Sequence, residues 1–312
     1  MISTVWKKFA VLCAVLFVVV VVVVVVAKQK PAARESGKLR VLTTFLPMYV
    51  FTANVAGEYA DVENLLPGGV GPHEYAFTPA DIQKIAAADV IVMNGLELEE
   101  WMDDLVLQSG TKAVRAVTSA GITGQGIAAH DAEPGNDTAV NPHVWLDPIR
   151  AAQMVLFIGE KLAVADPPNA PAYRSNAAAY VTRLYMLDRE YNEQLSVFLA
   201  DERAFVAFHP ALDYLAERYS LTQVAVIEEF PGKEPSSQYL ASVIDLIRDK
   251  KVRALFSEPQ FSSKVVETVA SETGRTIREI DTVETGDFAT DTYEKVMRKN
   301  LQTFVAAFSE KE

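Results

Sequence analysis

Four histidines occur in this 312-residue chain, and three of them share a setting. His73 lies in PGGVGPHEY, His143 in NPHVWLDP and His209 in AFHPALDYLAERY, each beside a proline and at a turn. An adjacent proline restricts the backbone and helps to fix the direction of a side chain. Neutral imidazole is the commonest protein metal ligand. Three imidazoles plus one carboxylate suit Zn2+, with Mn2+ or Fe2+ as further candidates. Two carboxylates qualify by position: Asp281 follows TIREI and Glu258 follows VRALFS, both stretches of strand type. Successive histidines stand roughly seventy residues apart, which excludes short-range devices such as H-E-x-x-H. His130 stands apart in a Gly- and Asp-rich loop, where a weak auxiliary metal site competes with a plain solvated loop.

Elements of two kinds must position these side chains. Strand-like runs (residues 39–45, 62–66, 90–95 and a run near Ala113) alternate with helix-like ones, and the alternation resumes at residues 204–208, 223–227, 252–257 and 276–280. Such alternation predicts βα units around mostly parallel sheets. In open sheets of this kind ligands bind beyond the carboxyl ends of the strands, where His209, Glu258 and Asp281 fall. Residues 78–89 read as a helix capped by Thr78, with Pro79 in the first position and Asp81 completing a capping-box-like pattern. A helix is expected from Asp147-Pro148 to about Ala165, and another from Pro171 to about Ala200. Some thirty residues at 1.5 Å rise would span roughly 45 Å, too long for one βα layer, so this helix is read as a strut. The predicted fold is α/β: two Rossmann-like lobes, each a mostly parallel sheet flanked by helices, joined by one long helix. The divisions are a signal or membrane anchor plus linker at residues 1–38, a first metal-binding lobe at 39–170, the connecting helix at 171–200 and a second lobe at 201–312.

Charge narrows the partners. The net charge is −12, and residues 1–38 hold six Lys/Arg and one Glu, so the rest carries −17. An acidic body attracts cations and lacks the Lys/Arg stripe that nucleic-acid binding needs. Lys7-Lys8 precede an uncharged run over residues 9–27 that includes nine valines in succession. This is the pattern of a secretory signal, cut after Ala27, or of an uncleaved anchor that would associate the chain with a membrane. Either places the body outside the cytoplasm, in the periplasm or on the outer face of the membrane. The single Cys, Cys13, lies inside the apolar run, so the body has no disulfide or Cys-based metal site. Gly124 to Ala129 fits G-x-G-x-x-A but runs into HDAEPGND rather than a helix, which argues against a dinucleotide site.

Several ordered motifs resemble the zinc/manganese-binding solute-binding proteins of bacterial ABC transporters, the zinc-uptake and metal-binding adhesin-like family. They are GPHEYAFTPADIQKIAAADVIVMNG, NPHVWLDP, FHPALDYLAERYSL, EPSSQYLASVIDLIRDKKVRALFSEPQFSSK, IREIDTVE and TYEKVMRKNLQTF, spread from about Leu39 to Phe308. Pro210 stands where many relatives have an acidic residue, and Ala76-Phe77 replaces the more usual Glu-Pro. The resemblance implies a metal held by His73 and His143 from the first lobe and by His209 and Asp281 from the second. Histidine rather than glutamate at position 209 tilts this toward zinc. Glu258, Glu74 and Trp145 stand beside the ligands: Glu258 as a support or an alternative ligand, Trp145 as a packing residue that dries the cleft. The implied function is extracytoplasmic capture of a divalent transition metal by a monomer and its delivery to the membrane permease of an ABC importer. A zinc-dependent hydrolase, with an open position that activates water, and a metal-binding surface adhesin are the alternatives.

Overall fold

The computed structural model describes residues 37–73, 75–126, 140–229, 234–261 and 264–310. The valine-rich N-terminal segment, Glu74 and the loop around His130 lie outside the described residues. In chain order the elements are β1 (Leu39–Thr43), α1 (Leu46–Ala56), β2 (Ala60–Asn64), α2 (Pro79–Ala87), β3 (Val90–Met93), α3 (Trp101–Ser109) and β4 (Val114–Val117). There follow α4 (Pro148–Ala165), α5 (Ala170–Leu195), β5 (Ala204–Ala207), α6 (Asp213–Tyr219), β6 (Thr222–Val226), α7 (Ser237–Asp249), β7 (Ala254–Ser257), α8 (Lys264–Thr273), β8 (Ile277–Glu279) and α9 (Thr292–Phe308). Two four-stranded sheets result, ordered β2-β1-β3-β4 and β6-β5-β7-β8, and every pairing is parallel. The α/β architecture with two parallel sheets and a long joining helix is the one expected.

Local sequence accounts for most of these elements. VIVM of β3 and AFVA of β5 are buried at every residue, as parallel strands covered on both faces require. Helix α2 starts where its cap predicts: the Asp81 carboxylate accepts from the Thr78 N–H at 2.7 Å and from its hydroxyl at 2.9 Å. Asp147 caps α4 in turn, accepting from the Ile149 N–H at 2.8 Å. The joining helix is shorter than expected. It ends at Leu195 after 26 residues, about 39 Å, and a separate 3-10 turn at Ala200–Arg203 leads into β5.

One apolar cluster runs through both sheets. It unites Phe51 of α1, Tyr180 and Tyr191 of α5, Phe205 of β5 and Phe304 of α9, all fully buried. Helix α9 is tied to α5, since the Tyr191 hydroxyl donates to the Met297 carbonyl at 2.6 Å and Tyr180 to Glu294 at 3.0 Å. Residues 39–312 accordingly make one compact unit. Among the described residues no helix is long and apolar enough to cross a membrane.

Candidate metal centre

Each chemically interesting side chain sits on a segment that leaves the carboxyl end of a parallel strand. His73 follows β2, His209 lies two residues past the end of β5, Glu258 directly follows β7, and Glu284 lies past β8. His143 is reached from β4 and precedes the 3-10 turn Val144–Leu146. The two sheets thereby aim their loops at one point.

At that point four donor atoms converge, one each from His73, His143, His209 and Glu284, all within 4.8 Å of one another. The Nε2 of His143 is 3.2 Å from that of His73 and 3.2 Å from that of His209. Glu284 Oε1 lies 3.7, 3.5 and 3.8 Å from the Nε2 of His73, His143 and His209. A tetrahedron with metal–ligand distances of about 2.0–2.2 Å has edges of about 3.3–3.6 Å, so the spacing fits such a centre. Glu284 Oε1 is buried without a hydrogen-bond partner, which is costly for a charged atom unless a cation completes it.

The imidazole orientations are set from behind. His143 Nδ1 donates to Asn141 Oδ1 at 2.7 Å, and His209 Nδ1 faces Glu258 Oε1 at 2.6 Å. A proton held on Nδ1 leaves the Nε2 lone pair directed at the common point. Asn141 also spans the sheets, donating to the Pro210 carbonyl at 2.5 Å and to Asp213 at 2.8 Å. Pro210, a departure from the resembled pattern, opens a 3-10 turn whose carbonyl receives that bond.

Charge states follow from burial and neighbours. His143, 2% exposed, is pushed down to about 3, mainly because burial disfavours its cation. Burial pulls His209 down as well, but the adjoining Glu258 carboxylate outweighs it and the net shift is upward. Burial raises Glu258. For Glu284 burial is opposed and outweighed by the facing His143 and His73, which hold its carboxyl well below the usual range. The cluster thus presents a carboxylate and a neutral imidazole to any cation.

The fourth donor differs from the expected one. Asp281 does not join the cluster: its Oδ1 accepts from the Val283 N–H at 2.8 Å, and its backbone is clasped by Asn300 at 3.0 and 2.7 Å. Asp281 therefore builds the turn that carries the chain to Glu284. Val283, β-branched yet at φ 62°, is held in that turn against its preference. The readable signal was the Asp-x-Val turn itself, since Asp bonds the backbone two residues on. Glu258 stands behind His209 and is no member of the four-donor cluster. Trp145 is fully buried, packs on Phe45 at 4.9 Å and on His143 at 5.1 Å, and donates to the Thr282 carbonyl at 2.8 Å. It thereby supports both the His143 and the Glu284 segments. Asn141 was missed because an amide two residues from a histidine carries no metal signal in sequence.

Comparison with known proteins agrees with this geometry. Residues 41–307 match the family model described as zinc-uptake complex component A, periplasmic. The zinc-binding lipoprotein AdcA of Streptococcus pneumoniae is 34% identical over 304 residues, covering 94% of this chain and 58% of that protein. This chain thus spans about three fifths of the length of that relative. The high-affinity zinc uptake system protein ZnuA of Bacillus subtilis is 34% identical over 286 residues, 89% of each chain. Among solved structures, the solute-binding protein FpvC of P. aeruginosa with Ni2+ superposes with a TM-score of 0.79 at 32% identity, covering 88% of this chain and 99% of that one.

Proposed function

Because the chain belongs to the periplasmic zinc-uptake complex component A family, whose members are transport binding proteins and not enzymes, we propose that it captures Zn2+ outside the cytoplasm and passes it to an ABC permease. The observation that carries this reading is the convergence of three imidazole Nε2 atoms and one orphaned carboxylate oxygen at tetrahedral spacing. Nitrogen-rich donors favour zinc over manganese, which prefers carboxylates, carbonyls and water. Four protein donors close the shell, so no position is left for an activated water, which speaks against a hydrolase. In this reading His73 and His143 come from a lobe at residues 39–170, and His209 and Glu284 from a lobe at 201–312. Glu258 acts behind His209 by orienting its ring and raising its basicity.

The test is metal content and competition. The purified chain, stripped and then offered equimolar Zn2+ and Mn2+, should retain one zinc per chain, and His209→Ala should lose it. A preference for manganese would overturn the metal assignment, and no stoichiometric metal in the wild type would overturn the site.

A further inference from the structure

Two of the four donors are braced by a hydrogen bond at the back of the ring, His143 by Asn141 and His209 by Glu258. The other two are braced differently. Among the described residues His73 Nδ1 has no hydrogen-bond partner, and the His73 side chain is 21% exposed. The place of His73 therefore depends on its loop, which Trp101 holds by donating to the Pro72 carbonyl at 3.2 Å.

That loop meets the loop of Glu284 at one backbone bond: the Gly286 N–H donates to the Gly68 carbonyl at 2.7 Å. Only glycine permits the approach. A Cβ on Gly68 would collide with the Gly286 carbonyl oxygen, a backbone atom with no side-chain freedom to move aside. Gly286 itself has φ 149°, and a Cβ there would press on Leu46 at 3.1 Å. A Cβ on Gly71 would come within 3.3 Å of Glu284 Oε2. Gly69, one residue along, faces open space.

We infer that the Gly68–Gly286 contact is a latch that positions His73 and Glu284 as a pair, so that they close on the metal and leave it together. Its inference rests on the zinc reading above. His143 and His209 remain braced throughout, so opening one backbone bond frees two of four ligands at once. Gly68 and Gly286 are thus positioning residues for metal release.

The experiment compares Gly68→Ala with Gly69→Ala in the full chain, following zinc release into excess chelator by stopped flow. Gly68→Ala should release zinc about 10- to 100-fold faster, the range for loss of a ligand's support, and Gly69→Ala within about twofold of wild type. Added to His73→Ala, Gly68→Ala should accelerate release by clearly less than it does in the wild type, because one of the two ligands it positions is already gone. A wild-type rate in Gly68→Ala, equal acceleration in Gly69→Ala, or an undiminished effect in the His73→Ala background would each overturn the latch. Should Gly68→Ala fail to fold, amide hydrogen exchange of the wild type decides: the Gly286 amide should exchange more slowly with zinc bound, and equal exchange with and without zinc overturns the proposal. A wild type that binds no zinc sinks the zinc reading and the latch with it, whereas zinc binding with indifferent Gly68→Ala sinks the latch alone.

Discussion

Glu284 and Asp281, three residues apart, offer a sharp test of which carboxylate meets the metal. Glu284→Gln removes a unit charge from a buried cluster while keeping the shape of the side chain. Two unit charges 4 Å apart interact by about 4 kcal/mol at an effective dielectric near 20, so a divalent ion loses roughly 8 kcal/mol of gross attraction. Relief of the carboxylate's own burial and the remaining amide oxygen offset part of this. The lower bound comes from supports of metal ligands, whose loss costs about 10- to 100-fold, and a direct ligand must cost more. Zinc affinity of Glu284→Gln should therefore fall by at least about 100-fold, or about 2.7 kcal/mol. Asp281→Asn keeps an Oδ1 acceptor for the Val283 N–H and removes only a charge outside the four-donor cluster. Its loss should stay within about fivefold, roughly 1 kcal/mol, for a partly buried charge that belongs to no part of the donor cluster. Competition against a fluorescent zinc chelator, with circular dichroism to confirm folding, measures both. If Asp281→Asn loses as much as Glu284→Gln, or Glu284→Gln stays within tenfold of wild type, the assignment of the fourth ligand is refuted.

Three further outcomes are expected. Glu258→Gln should weaken zinc binding by about 10- to 100-fold in the same competition assay, because His209 loses the carboxylate that orients it and raises its basicity. Zinc affinity should fall as pH falls through the raised value of His209, about tenfold per pH unit, since a proton must leave Nε2 before the metal enters; above that value His209 adds no slope. Glu258→Gln should move the onset of this fall to lower pH in titrations run across the histidine range, while His143, already near 3, adds no slope at neutrality. Trp145→Ala should cost about 3–5 kcal/mol of stability, a drop of roughly 6–20 °C in Tm by calorimetry of the stripped protein, because a fully buried indole and its bond to Thr282 are both lost.

Much of the fold was readable because local rules and tertiary demands agree. The Thr78–Pro79–Asp81 cap marked the start of α2, and Asp147-Pro148 that of α4, because a helix end must find partners for its free N–H groups close by in sequence. VIVM and AFVA announced buried strands by being apolar throughout. Helix α1 gave no such signal. Its residues are nearly all apolar and eight of eleven are buried, so no polar face marks a 3.6-residue period, and Phe45 offers no side-chain cap. The end of α5 was misplaced for the opposite reason. No Gly or Pro interrupts residues 172–203, so composition allowed the helix to continue past Leu195.

By itself the sequence determined the donor types and three of their positions. His73, His143 and His209 were recognisable because each sits beside a proline at a turn, and a rare residue repeated in one rare setting is informative. It also determined that these turns lie at strand ends of a βα alternation, and it offered two carboxylates at such ends, Glu258 and Asp281. Only the tertiary structure decided which carboxylate. Asp281 and Glu284 are equivalent as donors, but the backbone turn that Asp281 closes through Val283 sends one side chain into its own loop and the other into the cluster. The same holds for Asn141, Glu258 and the Gly68–Gly286 contact, whose roles exist only once segments distant in sequence meet at the strand ends. Ligand identity is local chemistry, whereas ligand geometry is set by packing between segments more than two hundred residues apart.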